Sequence, residues 1–329
     1  MARTRKSRAV KWPLSVALVF ALVPGWTGLD RLPLISPDAL VHASAYVPSG
    51  GWPRRVGALT PVGAVQLWSR DPAFGGFSAL SIHDGTATLL SDGGNYVRFA
   101  ISGRHLVTRA AGSLPDGPGT GWAKESRDTE SLTIDHERGH AWVGYERANA
   151  IWRYSADLRR TQKHAAPQAM RKWPVNGGPE SMVRLRDGRF VVISEQARPK
   201  GERGLREALI FSGDPTERGT RVARFRYRPP EGYAPSDAAV LPDGDVLVLN
   251  RRFSRLRFHA VLVRIALANL RAGATVGGRE IARWGPPLVG ENPEGLAVTR
   301  ERGRTILWVV TDNDLAWYRP TLLLKFRLD

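Results

Sequence analysis

Asp128-Thr129-Glu130-Ser131-Leu132 is one of five related stretches whose recurrence decides the fold. The others are Gly75-Gly76-Phe77-Ser78-Ala79-Leu80, Gly178-Pro179-Glu180-Ser181-Met182, Pro235-Ser236-Asp237-Ala238-Ala239 and Asn292-Pro293-Glu294-Gly295-Leu296. With Ser78, Glu130, Glu180, Asp237 and Glu294 taken as equivalents, the interval is 50 to 57 residues. A period of that size, built from short apolar runs and turn residues, predicts an all-β propeller with one blade per repeat. Five blades fit best, with six as the alternative.

Each stretch leads into a turn: Asp84-Gly85, Arg138-Gly139, Asp187-Gly188, Asp243-Gly244 and Arg302-Gly303. Glycine there admits the positive φ of a tight hairpin. A second apolar strand follows and ends polar, at Asp92, Glu146, Glu195, Asn250-Arg251 and Asp312. Strands of a hairpin are antiparallel, so the acid opening the first and the acid closing the second share one end. The first strand of a propeller blade lines the central channel. Glu130, Glu180, Asp237 and Glu294 are therefore expected as an inner ring at one mouth. Asp92, Glu146, Glu195 and Asp312 are expected just outside it. This convergence of acids stands against the composition, in which 48 lysines and arginines outnumber 31 acids.

The last repeat has room for three strands before the terminus. Residues 56–69 read as the strand that completes it, so that no edge of the ring stays open. Residues 55–329 then form one domain, behind a linker over 26–54. Residues 1–25 read as a signal peptide or membrane anchor, with a positive start (Arg3, Arg5, Lys6, Arg8, Lys11) and an apolar run from Leu14 to Val23. Export to the periplasm or beyond is expected, with membrane association through that segment if it is retained. Loops 112–127, 196–206 and 268–280 are insertions of the kind that shape a propeller's mouth.

With no cysteine, disulfides, thiolate metal sites and cysteine nucleophiles are excluded. No Gly-x-Ser-x-Gly elbow and no His-Glu-x-x-His spacing occurs, which disfavours a serine esterase of that design and catalytic zinc. A net charge of +17 suits anionic partners. No basic run is interleaved with aromatics as in single-strand binders, so nucleic acid is not expected.

Laid out in order, the repeats resemble the esterase-like activity of phytase family of exported bacterial propellers. The carriers are Glu130-Ser131-Leu132, Trp142-Val143-Gly144-Tyr145-Glu146-Arg147, Asn176-Gly177-Gly178-Pro179-Glu180, Ile193-Ser194-Glu195, Ser236-Asp237-Ala238-Ala239, Leu249-Asn250-Arg251-Arg252 and Glu294-Gly295-Leu296-Ala297. The resemblance spans roughly residues 55–329 and implies hydrolysis of a phosphoester or other ester. It departs at Asn250, where relatives carry an acid, and at Ser91-Asp92-Gly93-Gly94, where they carry an arginine. A neutral Asn250 oxygen would weaken a metal site.

Carboxylate rings suit hard cations, and Ca²⁺ takes six to eight oxygen ligands. The expectation is a divalent cation, Ca²⁺ above all, held by Asp92, Glu146, Glu195 and Asp312. Glu130, Glu180, Asp237 and Glu294 would hold metal or activate water. Arg147 and Arg251 would orient a small anionic ester. Two other readings fit the same residues: an envelope propeller that binds a ligand or protein without catalysis, and a lactonase-like sugar-ester hydrolase. Carboxylates consumed by arginines between blades would favour the binder.

Overall fold

The computed structural model describes residues 41–329 apart from 103, 104 and 122. The expected signal segment and the linker as far as residue 40 lie outside the described residues. Among the described residues no helix is long and apolar enough to cross a membrane.

Five antiparallel-stranded sheets stand around one axis. Blade 1 holds Phe77–His83, Thr86–Ser91, Asn95–Ser102 and His105–Ser113. Blade 2 holds Thr129–Asp135, His140–Tyr145, Ala150–Ser155 and Thr161–Ala165. Blade 3 holds Ser181–Arg184, Phe190–Ile193, Arg206–Phe211 and Val222–Tyr227. Blade 4 holds Ala234–Val240, Val246–Ser254, Arg257–Ile265 and Arg279–Trp284. Blade 5 holds Asn292–Glu301, Arg304–Asp312 and Thr321–Leu328, and is completed by Leu59–Trp68. The first strands follow one another round the axis in chain order, and the last meets the first. The five-blade expectation holds, and six blades are excluded.

The middle strands are continuous apolar runs because both faces are covered. Side chains alternate in direction along a strand. In the strand from Val246, Val246 and Val248 enter the core shared with blade 3, while Leu247 and Leu249 enter the core shared with blade 5. In the strand from Arg304, Leu307 and Val309 face blade 4, whereas Ile306, Trp308 and Val310 face blade 1. Each of the five apolar clusters thus fills one interface between neighbouring blades.

Closure runs as expected, with Leu59–Trp68 antiparallel to Thr321–Leu328 and Asp329 N donating to the Ala58 carbonyl. Two expectations are corrected. His42–Ala45, assigned to the linker, is a strand that pairs with the completing strand as its outer edge. The 268–280 insertion leaves the end of the Arg257–Ile265 strand that is remote from the mouth. It does not shape the mouth. Its residues Thr275–Val276 instead add a parallel fifth strand to blade 3.

Candidate functional site

The mouth is built by a defect repeated in the inner strands. Register slips between Phe77 and Ala79, Thr129 and Ser131, Pro235 and Asp237, and Pro293 and Gly295. Each bulge leaves one residue unpaired and re-aims its side chain. Those residues are Ser78, Glu130, Ser236 and Glu294; in blade 3 the pairing begins at Ser181, just after Glu180. The carbonyl before each acid is pinned by the preceding blade. Ser78 Oγ donates to Thr129 O (2.7 Å), Ser131 Oγ to Pro179 O (2.6 Å) and Ser236 Oγ to Pro293 O (2.9 Å). Serines at these positions therefore fix where Glu130, Glu180 and Glu294 emerge.

The fourth blade departs from the expected ring. Its bulge residue is Ser236, and Asp237 lies one place deeper, opposite Leu249. The Asp237 carboxylate accepts from Ala238 N and from Leu296 N of the next blade, both at 2.7 Å. Burial pushes its pKa up, and the two N–H donors oppose that rise. It is a buried tie between blades 4 and 5 rather than a member of the ring. Where the other blades close their second strand with an acid, blade 4 supplies Arg251. Asn250 points into the blade, accepting from Tyr227 Oη at 2.9 Å and donating to Val248 O. It offers no oxygen to a cation at the mouth.

Arg251 divides the remaining acids. Its Nη2 reaches Glu180 at 3.1 Å and Glu195 at 3.2 Å, and its Nη1 pairs with Glu294 and donates to Asn292 Oδ1 at 3.0 Å. Asn292 Nδ2 in turn donates to Glu294 at 2.7 Å. With these donors engaged, Arg251 is the counter-ion of two buried carboxylates, Glu180 and Glu294, and of the half-buried Glu195, and not a free grip for substrate. Arg147 is exposed in the turn after Glu146 and takes no part in the cluster. Asp92 and Asp312 sit on the blade 1 and blade 5 sides. The Asp92 charge bears on Glu294, and Asp312 Oδ1 accepts from Asp314 N at 2.8 Å.

On the other side stand Asp128, Glu130 and Glu146, with one oxygen of each within 4.8 Å of the others. Neither Glu130 nor Glu146 forms an ion pair among the described residues. Gly178 permits the close approach of blade 3 here, since a Cβ would lie 2.7 Å from Glu146 O and 2.8 Å from its Cα. Its N–H reaches the Glu146 carboxyl. Asp128 is the member that sequence reasoning missed, although it stands two residues before Glu130.

Crowding and burial raise the acids' affinity for protons. Burial, then the Asp128 and Glu195 charges and a shared hydrogen bond with Asp128, push Glu146 to about 8. Burial and the charge of Glu180 push Glu130 well above the carboxylate range. Glu180 is raised by burial and by Glu195, against the pull of Arg251. Glu294 is lifted by burial to about 7, again against Arg251.

The donor set is all carboxylate oxygen, which suits a hard divalent cation. Asp128, Glu130 and Glu146 fit it best, because among the described residues no basic side chain forms an ion pair with Glu130 or Glu146. Glu146, Glu180 and Glu195 also lie with one oxygen of each within 4.8 Å of the others, but two of them are already bridged by Arg251.

Among solved structures, the chain is similar to glutaminyl cyclase of Myxococcus xanthus at 12% identity, covering 89% of this chain and 99% of that one, TM-score 0.47. It is similar to the PQQ-bound aldose sugar dehydrogenase of Streptomyces coelicolor at 14%, covering 89% and 100%, TM-score 0.44. A third likeness is to the β-propeller domain of Cps50 from Myceliophteria thermophila, at 10%, covering 90% and 98%, TM-score 0.39. No curated protein matches. The model of the phytase-like family, described as esterase-like activity of phytase, matches residues 72–315, and the chain belongs to that family.

Proposed function

We propose that the chain is a cation-dependent hydrolase of phosphoesters or other esters, with Asp128, Glu130 and Glu146 holding the cation, Ca²⁺ above all. The observation that carries this reading is the division of the mouth. One trio of acids has Arg251 as its ion-pair partner, while among the described residues Glu130 and Glu146 have no ion-pair partner, at a depth where unbalanced charge is costly. Protons or a divalent cation must balance them. A cation held there would polarise an ester or phosphoryl oxygen and lower the pKa of a water bound to it.

The chain's own groups supply the rest. Glu294, lifted to about 7, is able to hold or release a proton near neutral pH. Arg251 and Asn292 fix its carboxyl in place. The basic and apolar N-terminal segment supports export, with the mouth acting outside the cytoplasm. Arg251's capture of three carboxylates favours a second reading, a propeller that binds without catalysis.

The test is hydrolysis of 4-nitrophenyl acetate, 4-nitrophenyl phosphate, bis(4-nitrophenyl) phosphate and a γ-lactone, with Ca²⁺ and with EDTA. The hydrolase reading expects turnover of at least one that EDTA abolishes. Glu130→Gln should then lower kcat by about a hundredfold or more. Turnover of the lactone alone would select the lactonase-like reading. No turnover by a protein that binds Ca²⁺ would select the binding propeller.

A further inference from the structure

Beside the carboxylates, between the 196–206 loop and the long blade 4 hairpin, opens a cleft of about 600 Å³ that shares Glu195 and Arg251 with the mouth. Arg198, Arg203, Arg206 and Arg252 line it. Some arginines elsewhere are matched to acids, as Arg153 is to Asp214 and Arg264 to Asp243 and Asp245. These four form no ion pair among the described residues.

Arg206 is the telling member. It is 9% exposed, and it donates from Nε to the Glu195 carbonyl and from Nη1 to the Leu205 carbonyl. Carbonyls satisfy donors but cancel no charge. The Glu195 carboxylate attracts Arg206 but is bonded to Arg251. Burial and the Arg198 cation both act against the Arg206 charge. Arg252 lies 4.8 Å from the Tyr233 ring, and its Nε is buried without a hydrogen-bond partner. Glu231 also lines the cleft, exposed and outside any ion pair among the described residues. A buried cation without a counter-ion is costly, and like charges on one wall add to that cost. An oxyanion between them relieves both.

The cleft has an apolar rim as well. Phe253 and Phe258 line it with ring centroids 4.9 Å apart, and Phe253 is 59% exposed. They flank a two-residue tip in which Arg255 and Leu256 both hold positive φ, at 52° and 61°. That conformation is unfavourable for residues other than glycine, asparagine and aspartate. The strand is thereby kept extended well past the mouth, with its aromatics beside the arginines.

We propose that this cleft binds the oxyanion group, phosphate or carboxylate, of a ligand whose adjoining aromatic or apolar part rests on Phe253 and Phe258. That this ligand is the substrate, with its scissile bond over the carboxylates, rests on the hydrolase reading; the anion site itself does not. The substrate would then be a larger amphiphilic anion, held at a non-reacting end.

Calorimetric titration of the full chain in EDTA, with phenyl phosphate, phenylacetate and inorganic phosphate as probes, tests this. At least one aromatic probe should bind about tenfold more tightly than inorganic phosphate. The better of the two identifies the oxyanion class. The double variant R198A/R203A, exposed and safe for folding, should weaken it by about tenfold or more, and Arg252→Gln likewise. Glu130→Gln should leave it unchanged. Absent binding, or binding undiminished in variants with a wild-type circular dichroism spectrum, overturns the proposal. Binding that requires Ca²⁺ and disappears in Glu130→Gln also overturns it while leaving the hydrolase reading standing. Arginine-dependent binding by a protein with no hydrolytic activity upholds the cleft and removes the hydrolase reading.

Discussion

Replacing Glu146 by glutamine should stabilise the metal-free protein at alkaline pH. The carboxyl moves from an ordinary value of 4.5 to about 8 on folding, chiefly through burial and then through Asp128 and Glu195. Between those values the folded protein holds a proton that the unfolded chain has released, so stability falls as pH rises through the window. A window of about three and a half pH units, at about 1.4 kcal/mol each, sets a penalty on the order of 5 kcal/mol at pH 8 and above. Asp128 shares the hydrogen bond with Glu146, so the pair is counted once. Glutamine keeps an acceptor for Gly178 N–H and an N–H to offer Asp128, but carries no charge. For a chain of this size about 2 °C accompanies each kcal/mol, giving roughly 10 °C. Thermal melts followed by circular dichroism in EDTA should show variant and wild type nearly together at pH 5. At pH 8.5 the variant should melt higher by roughly that amount. A variant melting at or below wild type at pH 8.5 would refute the crowded-acid account.

Arg251→Met leaves Glu180, Glu195 and Glu294 without their counter-ion and should cost about 3–5 kcal/mol at pH 8. Urea denaturation should show part of that loss recovered at pH 5, where the acids take up protons; a variant as stable as wild type at pH 8 contradicts the assigned role. Removing residues 1–50 takes away the edge strand His42–Ala45 and, beside it, Val41 and Tyr46 at the margins of two cores, but no strand of the four that make up each blade, and cooperative melting should persist. Removing residues 1–70 strips Leu59–Trp68 from blade 5 and uncovers Leu322, Leu324 and Phe326, so cooperative melting should be lost. Equal melts of the two truncations would rule out closure by that strand.

The repeat was legible because each blade needs the same parts in the same order. Apolar runs such as Val246–Leu249 face two interfaces at once, and the Asp-Gly and Arg-Gly turns leave a plain signal. Which acid meets which was less legible, because side-chain type and strand register gave different alignments. Matching Asp237 to Glu180 and Glu294 by charge set blade 4 one residue out. Matching Pro235 to Pro179 and Pro293 instead places Ser236 beside the glutamates, as the bulges do. The role of Arg251 was open to the same logic, since it occupies the place that Asp92, Glu146, Glu195 and Asp312 hold in the other blades. Asn250 misled because a polar residue beside the mouth suggests a ligand, whereas its side chain turns inward to Tyr227. The arginine cleft was half legible: the 196–206 loop is visibly rich in lysine and arginine, but that Arg252 of blade 4 faces it emerges only on folding.

Asp128, Glu130 and Glu146 are proposed to hold a divalent cation, and calorimetric titration of Ca²⁺ into the metal-free chain reads that binding itself. One ion per chain is predicted, with proton release greater at pH 7 than at pH 9, because the bound ion displaces protons held at the lower pH. Ca²⁺ at a hundred times its dissociation constant should stabilise the fold by about 2.7 kcal/mol. Glu130→Gln and Glu146→Gln should weaken binding more than about tenfold, and Asp237→Asn, at the tie between blades, should not. No binding by the wild type, or binding undiminished in both glutamine variants, would contradict the account.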